Sequence, residues 1–117
     1  MSYVDGFVLA VPKKNVKAYE KVAKTAARIW KKHGALEFRE CMADDLDSKM
    51  ALTFKKMLKL KPSEVAFFSY ITFKSRAHRD AVNKKVMADP ETEMDPKDIP
   101  FDMRRMAYGG FKTIVSR

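Results

Sequence analysis

Cysteine is nearly missing from this chain: Cys41 stands alone among 117 residues. An intrachain disulfide is excluded, and so is any zinc or iron–sulfur site built from several cysteines. Four glycines and five prolines are too few for a collagen-like or low-complexity chain. No apolar run approaches the roughly 18 residues of a membrane span. The first residues, Met-Ser-Tyr-Val-Asp-Gly, lack the basic-then-apolar layout of a secretory signal. The expectation is a cytoplasmic protein with no membrane attachment. There is no Gly-rich phosphate loop, no His-Glu-x-x-His and no nucleophile elbow. The two histidines, His33 and His78, fall on different predicted helices, so neither a metal nor a cofactor is expected.

What is present describes one folded domain spanning residues 1–117: 46% hydrophobic and 33% charged residues, enough to bury a core unaided. The formal net charge of +9 is uneven. Residues 1–34 hold eight basic groups against two acids, and residues 89–104 hold six acids against two basic groups. Lysine dominates the basic set, and lysine is a point charge without the forked geometry that reads phosphates. Nucleic-acid binding is therefore expected to be at most weak and non-specific, falling steeply with salt.

Tyr3–Val11 predicts a strand that Pro12 stops. Tyr3, Asp5, Phe7, Leu9 and Val11 share one face, and Val4, Gly6, Val8 and Ala10 share the other. Asn15 predicts the cap of a helix to about His33, with Val16, Tyr19, Ala23, Ala26 and Trp30 inward and lysines outward; Gly34 ends it. A second strand follows over 35–43, with Leu36, Phe38, Glu40 and Met42 on one face and Glu37, Arg39 and Cys41 on the other. The connection 44–62 is polar and long for a hairpin. Val65–Phe73 predicts a third, strongly apolar strand. Ser75 predicts the cap of a helix over 76–88, with Ala77, Ala81, Val82 and Val86 inward. Asp95-Pro96 predicts a short helical turn. A last strand is expected over 105–115, where Gly109-Gly110 implies a bulge or a close backbone approach.

The order β-α-β-β-α-β is that of an α+β, ferredoxin-like fold: a four-stranded antiparallel sheet with two helices on one face. Two helices cover one face only, yet the first and third strands are apolar on both. A second copy of the chain, sheet against sheet, is the simplest cover, so a homodimer is expected.

Several segments resemble the YbaA-like family of uncharacterised bacterial proteins. They are Tyr3-Val4-Asp5-Gly6-Phe7-Val8, Glu40-Cys41 with Asp44-Asp45, Phe68-Ser69, Arg79-Asp80 and Val86-Met87-Ala88-Asp89-Pro90. Pro100-Phe101-Asp102 and Arg105-Met106 with Tyr108-Gly109-Gly110-Phe111 complete the set, which covers nearly the whole chain. The resemblance implies the dimeric α+β-barrel fold and no established activity. The chain departs from the family pattern in three places. Leu46 to Phe54 stands where a Pro-x-Gly-Lys turn leading to Thr-Ser-Phe is usual, Tyr70 stands where Trp is frequent, and Asp102 to Arg105 lacks a frequent Gly.

Asp5 is the most informative residue, a carboxylate mid-strand among apolar neighbours, which needs a partner or a shifted pKa. It reads either as a pocket base or as a structural ion pair with Arg105 or another basic group. Cys41, beside Arg39, and Tyr108 are the other catalytic candidates. Trp30 and His33, one helical turn apart, can line a helix–sheet pocket in the superfamily that the chain resembles; Ser69, Tyr70 and Arg105 join them as ligand-binding candidates. Adjacent Arg79 and Asp80 are expected to pair across elements, with Asp102 or Arg105, and not with each other. The reading that follows is a homodimer of unknown function with a small ligand-binding or latent catalytic pocket. One alternative is a cofactor-independent or haem-degrading type of monooxygenase, although the first strand lacks the asparagine that haem-degrading relatives use. Another is a weak basic nucleic-acid-binding module.

Overall fold

The computed structural model describes residues 2–117. Seven elements run in the order β1 (Tyr3–Pro12), α1 (Val16–Lys32), β2 (Glu37–Met42), α2 (Phe54–Leu58), β3 (Glu64–Phe73), α3 (Arg76–Ala88) and β4 (Ala107–Lys112). The strands form one antiparallel sheet ordered β2-β3-β1-β4, with the most apolar strands, β1 and β3, at its centre. This is the ferredoxin-like α+β fold.

Local chemistry explains most of the boundaries. Gly34 takes φ +112°, a left-handed conformation open to glycine, and ends α1. The Ser75 hydroxyl accepts from the His78 N–H at 3.1 Å and starts α3. Asp95 likewise accepts from the Lys97 N–H at 3.1 Å and starts the expected turn at Pro96–Asp98. Asn15 occupies the cap position of α1 but does not cap it. A 3-10 turn over Lys13–Asn15 precedes the helix, and the Asn15 amide instead donates to the Pro100 carbonyl at 3.0 Å, tying α1 to the C-terminal segment.

Several expectations need correction. The second strand is shorter than 35–43, because the Ala35 N–H still donates to the Trp30 carbonyl in closing α1. The connection 44–62 contains α2, capped by Thr53. Ala77 and Ala81 are exposed; the inner face of α3 is Arg79, Val82, Asn83 and Val86, a helical repeat that carries two polar groups inward. The last strand does not begin at Arg105, which closes a 3-10 turn over Met103–Arg105. Gly109-Gly110 makes no bulge, since the register runs unbroken through Asp5↔Gly110, Gly6↔Gly109 and Phe7↔Tyr108.

Close approach is the reason for Gly110, whereas Gly6 and Gly109 have room for a Cβ beside the Phe111 ring. The Phe111 ring lies across the Gly6–Gly109 pair, and a Cβ on Gly110 would sit 2.4 Å from the Tyr3 hydroxyl. Tyr3 is buried, and the Arg79 guanidinium stacks 4.9 Å from its ring centre, so the ring has little room to yield. Gly110→Ala should therefore destabilise the fold by about 1–3 kcal/mol, as overpacking does. An unaltered midpoint in urea titration would show that Tyr3 moves freely.

The helix-facing side of the sheet carries two separate apolar clusters. One gathers Tyr3, Ile29, Ile71, Phe73, Val82 and Val86; the other gathers Leu9, Val11, Tyr19, Ala23 and Phe67. The opposite side is only partly covered. Leu46 and Phe54 of the 44–62 connection meet Ala66, Phe68 and Val8 at one end. The remainder shows Val4, Tyr70, Phe111 and part of Phe68, with Phe68 45% and Phe111 63% exposed.

Candidate functional site

The gap between the two apolar clusters is a cavity of about 450 Å³, open to solvent, between α1, α3 and the sheet. Its floor follows from strand register. Glu40, Ser69, Phe7 and Tyr108 stand side by side across all four strands, and Phe38, Ile71, Asp5 and Gly110 form the next row. Val22, Ala26 and Trp30 of α1 form one wall, Asn83 and Met87 of α3 another, and Phe101, Met103 and Met106 cover one end.

Two polar groups interrupt this apolar lining. The first is centred on Asp5, which is 1% exposed. Arg79 Nη1 donates to Asp5 Oδ1 at 2.9 Å and to the Tyr108 hydroxyl at 2.8 Å. The Asn83 amide and the Tyr108 hydroxyl lie beside the Asp5 carboxylate. The Trp30 indole N–H donates to Asn83 Oδ1 at 3.0 Å. An indole can only donate, so it fixes the amide with its NH₂ toward Asp5. Burial pushes the Asp5 carboxyl above the ordinary aspartate range, and Arg79, Asn83 and Tyr108 pull it part of the way back.

The second group is Glu40. The Tyr19 hydroxyl donates to Glu40 Oε2 at 2.8 Å, and Ser69 stands directly across the strand pair from Glu40. No cation pairs with Glu40 among the described residues. Burial pushes its carboxyl up, and burial with the neighbouring Glu40 charge does the same to the Tyr19 phenol. Strand spacing of about 4.8 Å and a rise of about 3.4 Å per residue put the Cα atoms of Glu40 and Asp5 roughly 12 Å apart. The two carboxylates therefore act in separate places and not as one proton-sharing pair.

A raised carboxyl stabilises the fold below its unfolded pKa and loses that contribution as pH rises through the folded value. Ionised Glu40 is thus a cost at neutral pH. Glu40→Gln keeps an acceptor for Tyr19 and should raise the melting temperature at neutral pH. The difference should close as the buffer approaches pH 4. Parallel melts in which the variant is less stable at neutral pH would refute the desolvation argument.

The structure brings together some of the sequence-predicted site residues and scatters the rest. Asp5, Trp30, Ser69 and Tyr108 line the cavity. Cys41 and Tyr70 do not, because both point to the opposite side of the sheet, where Cys41 is exposed. His33 turns away from Trp30 and meets Asp89 Oδ2 at 2.7 Å. Lys32, His33 and the Glu91 N–H hold the Asp89 carboxyl well below the usual range, a clamp between the ends of α1 and α3. Arg105 pairs with Glu64 and caps α2 through the Leu58 carbonyl at 2.7 Å, so it is not the partner of Asp5. Arg79 does lie beside Asp80, its Nε 2.8 Å from Asp80 Oδ1, but off the N–H axis, so that N–H makes no hydrogen bond. Asp102 pairs with Arg104 and not with Arg79.

Sequence reasoning missed Glu40, Tyr19 and Asn83. Glu40 gave the same signal as Asp5, an acid on an apolar strand face. Asn83, four residues after Arg79, shares its helix face.

A family model described as "Protein of unknown function (DUF1428)" matches residues 2–103, a span that holds Asp5, Glu40, Arg79 and Asn83. The chain belongs to this family. It is also 42% identical to the uncharacterized protein YbaA of Escherichia coli (strain K12) over 115 residues, covering 98% of each chain. YbaA of Shigella flexneri matches with the same identity and coverage. Among solved structures, the chain is similar to a dimeric ferredoxin-like protein from an uncultured marine organism. The TM-score is 0.57 at 14% identity, covering 100% of each chain. That likeness bears on the fold. The family description and the relatives' names state no activity, and the function is unknown. No helix is long and apolar enough to cross a membrane among the described residues, nor do three His, Cys, Asp or Glu side chains gather there as a metal site.

Proposed function

We propose that this protein binds a small molecule in the cavity between its helices and sheet, and that it works as a cytoplasmic homodimer joined through the open sheet faces. The observation that carries the binding reading is the about 450 Å³ apolar cavity with one buried carboxylate, Asp5, and one half-buried carboxylate, Glu40, set in its floor. Apolar pockets with a few converging polar groups are the usual form of a ligand site. Burying Glu40 without a cation works against stability, which is the pattern expected where function and not folding selects a residue. Catalysis by Asp5 or Tyr108 stays latent in this reading: Arg79 ties both to one ion-paired network.

The dimer reading rests on the uncovered apolar side of the sheet and on the dimeric protein that shares the fold. Nucleic acid remains at most a weak partner. The acidic segment is folded against the basic helix, with Glu91 on Arg28 and Lys32, and within the helix Glu20 pairs with Lys24, so part of the lysine face is neutralised.

A thermal-shift screen of small apolar compounds tests the binding reading. Ala26→Phe fills the cavity from the α1 wall and should abolish the shifts produced by hits on the wild type. Shifts that survive this substitution would place binding elsewhere and defeat the proposal.

A further inference from the structure

We infer that the cavity is built for an organic cation: an amine with an aromatic or branched apolar body, its ammonium group held at Glu40. The inference rests on the binding reading above and adds the chemical class of the ligand. Of the two carboxylates in the floor, Asp5 is matched by Arg79 and surrounded by donors, so it offers an entering ligand no net charge. Glu40 differs. Its hydrogen-bond donor, the Tyr19 hydroxyl, and its cross-strand neighbour, Ser69, are neutral, and no cation of the chain forms an ion pair with it among the described residues. Around Glu40 the lining is aromatic: Tyr19, Phe38 and Trp30, the last two with ring centres 6.1 Å apart. Aromatic faces attract ammonium groups, most strongly where water is excluded. Arg79, the cation nearest the floor, is already engaged by Asp5, Tyr108 and the Tyr3 ring. Nothing in the cavity therefore waits for an anion. The net charge of +9 repels cations at long range. That field is screened beyond about 8 Å at physiological salt, whereas contact with a half-buried carboxylate is screened far less.

Trp30 is the one tryptophan of the chain and lines the cavity, so its fluorescence reports occupancy without a label. The probes are 2-phenylethylamine, 2-phenylethanol and 3-phenylpropionate, similar in shape and cationic, neutral and anionic at neutral pH. With the full chain at physiological salt, the amine should bind about tenfold tighter than the alcohol, the difference between a charge-assisted and a neutral hydrogen bond. The carboxylate should bind most weakly. Glu40→Gln should bring the amine to parity with the alcohol. If that variant fails to fold, the wild type gives a second measurement. Amine affinity should fall as pH drops through the Glu40 titration, while alcohol affinity holds. The titratable and charged groups lining the spaces around Glu40 are Tyr19, Glu20, Lys24 and Lys31 of α1, Asp5 of β1, Glu37, Arg39 and Cys41 of β2, and Tyr108 of β4. Alcohol or carboxylate binding as tightly as the amine, or selectivity that survives Glu40→Gln, would overturn the cation inference and leave the binding reading standing. Absence of binding by all three probes would overturn both.

Discussion

Arg79→Met should lower stability by about 3–5 kcal/mol at neutral pH, the loss typical when one partner of a buried ion pair is removed. The substitution keeps an unbranched side chain but leaves the Asp5 carboxylate, 1% exposed, with only Asn83 and Tyr108 as donors. The pH dependence identifies the cause. Burial already holds the Asp5 carboxyl above its ordinary range with Arg79 in place, and losing the cation raises it further. A raised carboxyl favours the fold while protonated, so part of the loss should return as pH falls. Asp5→Asn should also lower the unfolding midpoint, but by less. It relieves the desolvation of a charge while turning an amide NH₂ toward a site lined with donors. In the Asp5→Asn/Arg79→Met double variant the losses should fall well short of additive, because both act on one pair. Folded Asp5→Asn protein should still bind cavity probes. Additive losses, or binding abolished with the midpoint unchanged, would make Asp5 a pocket base and not a structural pin.

Phe68→Asp should convert the proposed dimer to monomer, weakening self-association by at least about 100-fold, or roughly 2.8 kcal/mol. Phe68 stands at the border of the uncovered sheet side, with Tyr70 at a ring-centre distance of 6.0 Å and Val8 beside it. Half of its surface is already in water, so the fold of the single chain loses little. In a sheet-to-sheet dimer with two-fold symmetry each substitution occurs twice, setting two desolvated charges of one sign into one interface. Light scattering on wild type and variant across micromolar concentrations reads the result. A wild-type monomer at those concentrations would defeat the dimer, and an unmoved equilibrium in the variant would put the interface on another surface.

Fold class and element order were legible in the sequence because they rest on periodicity and punctuation. The apolar, β-forming runs of β1 and β3, the helical repeat from Val16 to Trp30, the Ser75 cap and Gly34 are all local signals, read within a few residues. So was the anomaly of Asp5, an acid in an apolar row. Even there the information stopped at the need for a partner. Arg105 and Arg79 are both plausible from composition, and only the packing of α3 across β1 selected Arg79, while Glu64 and the end of α2 took Arg105.

The cavity is a tertiary feature altogether. It exists because two apolar clusters, each legible as helix and strand stripes, fail to meet above the Phe7–Ser69 row. No window of sequence measures the space left between elements far apart in the chain. The same limit hid Asn83, whose amide matters only because Trp30, 53 residues away, fixes one end of it beside Asp5. It also misplaced His33 and Tyr70: one was claimed by Asp89, brought to it from the far end of α3, and the other by the parity of its strand. Local chemistry determined which elements form and what each face carries. Long-range packing decided which charges meet, which stay unpaired, and where a ligand has room.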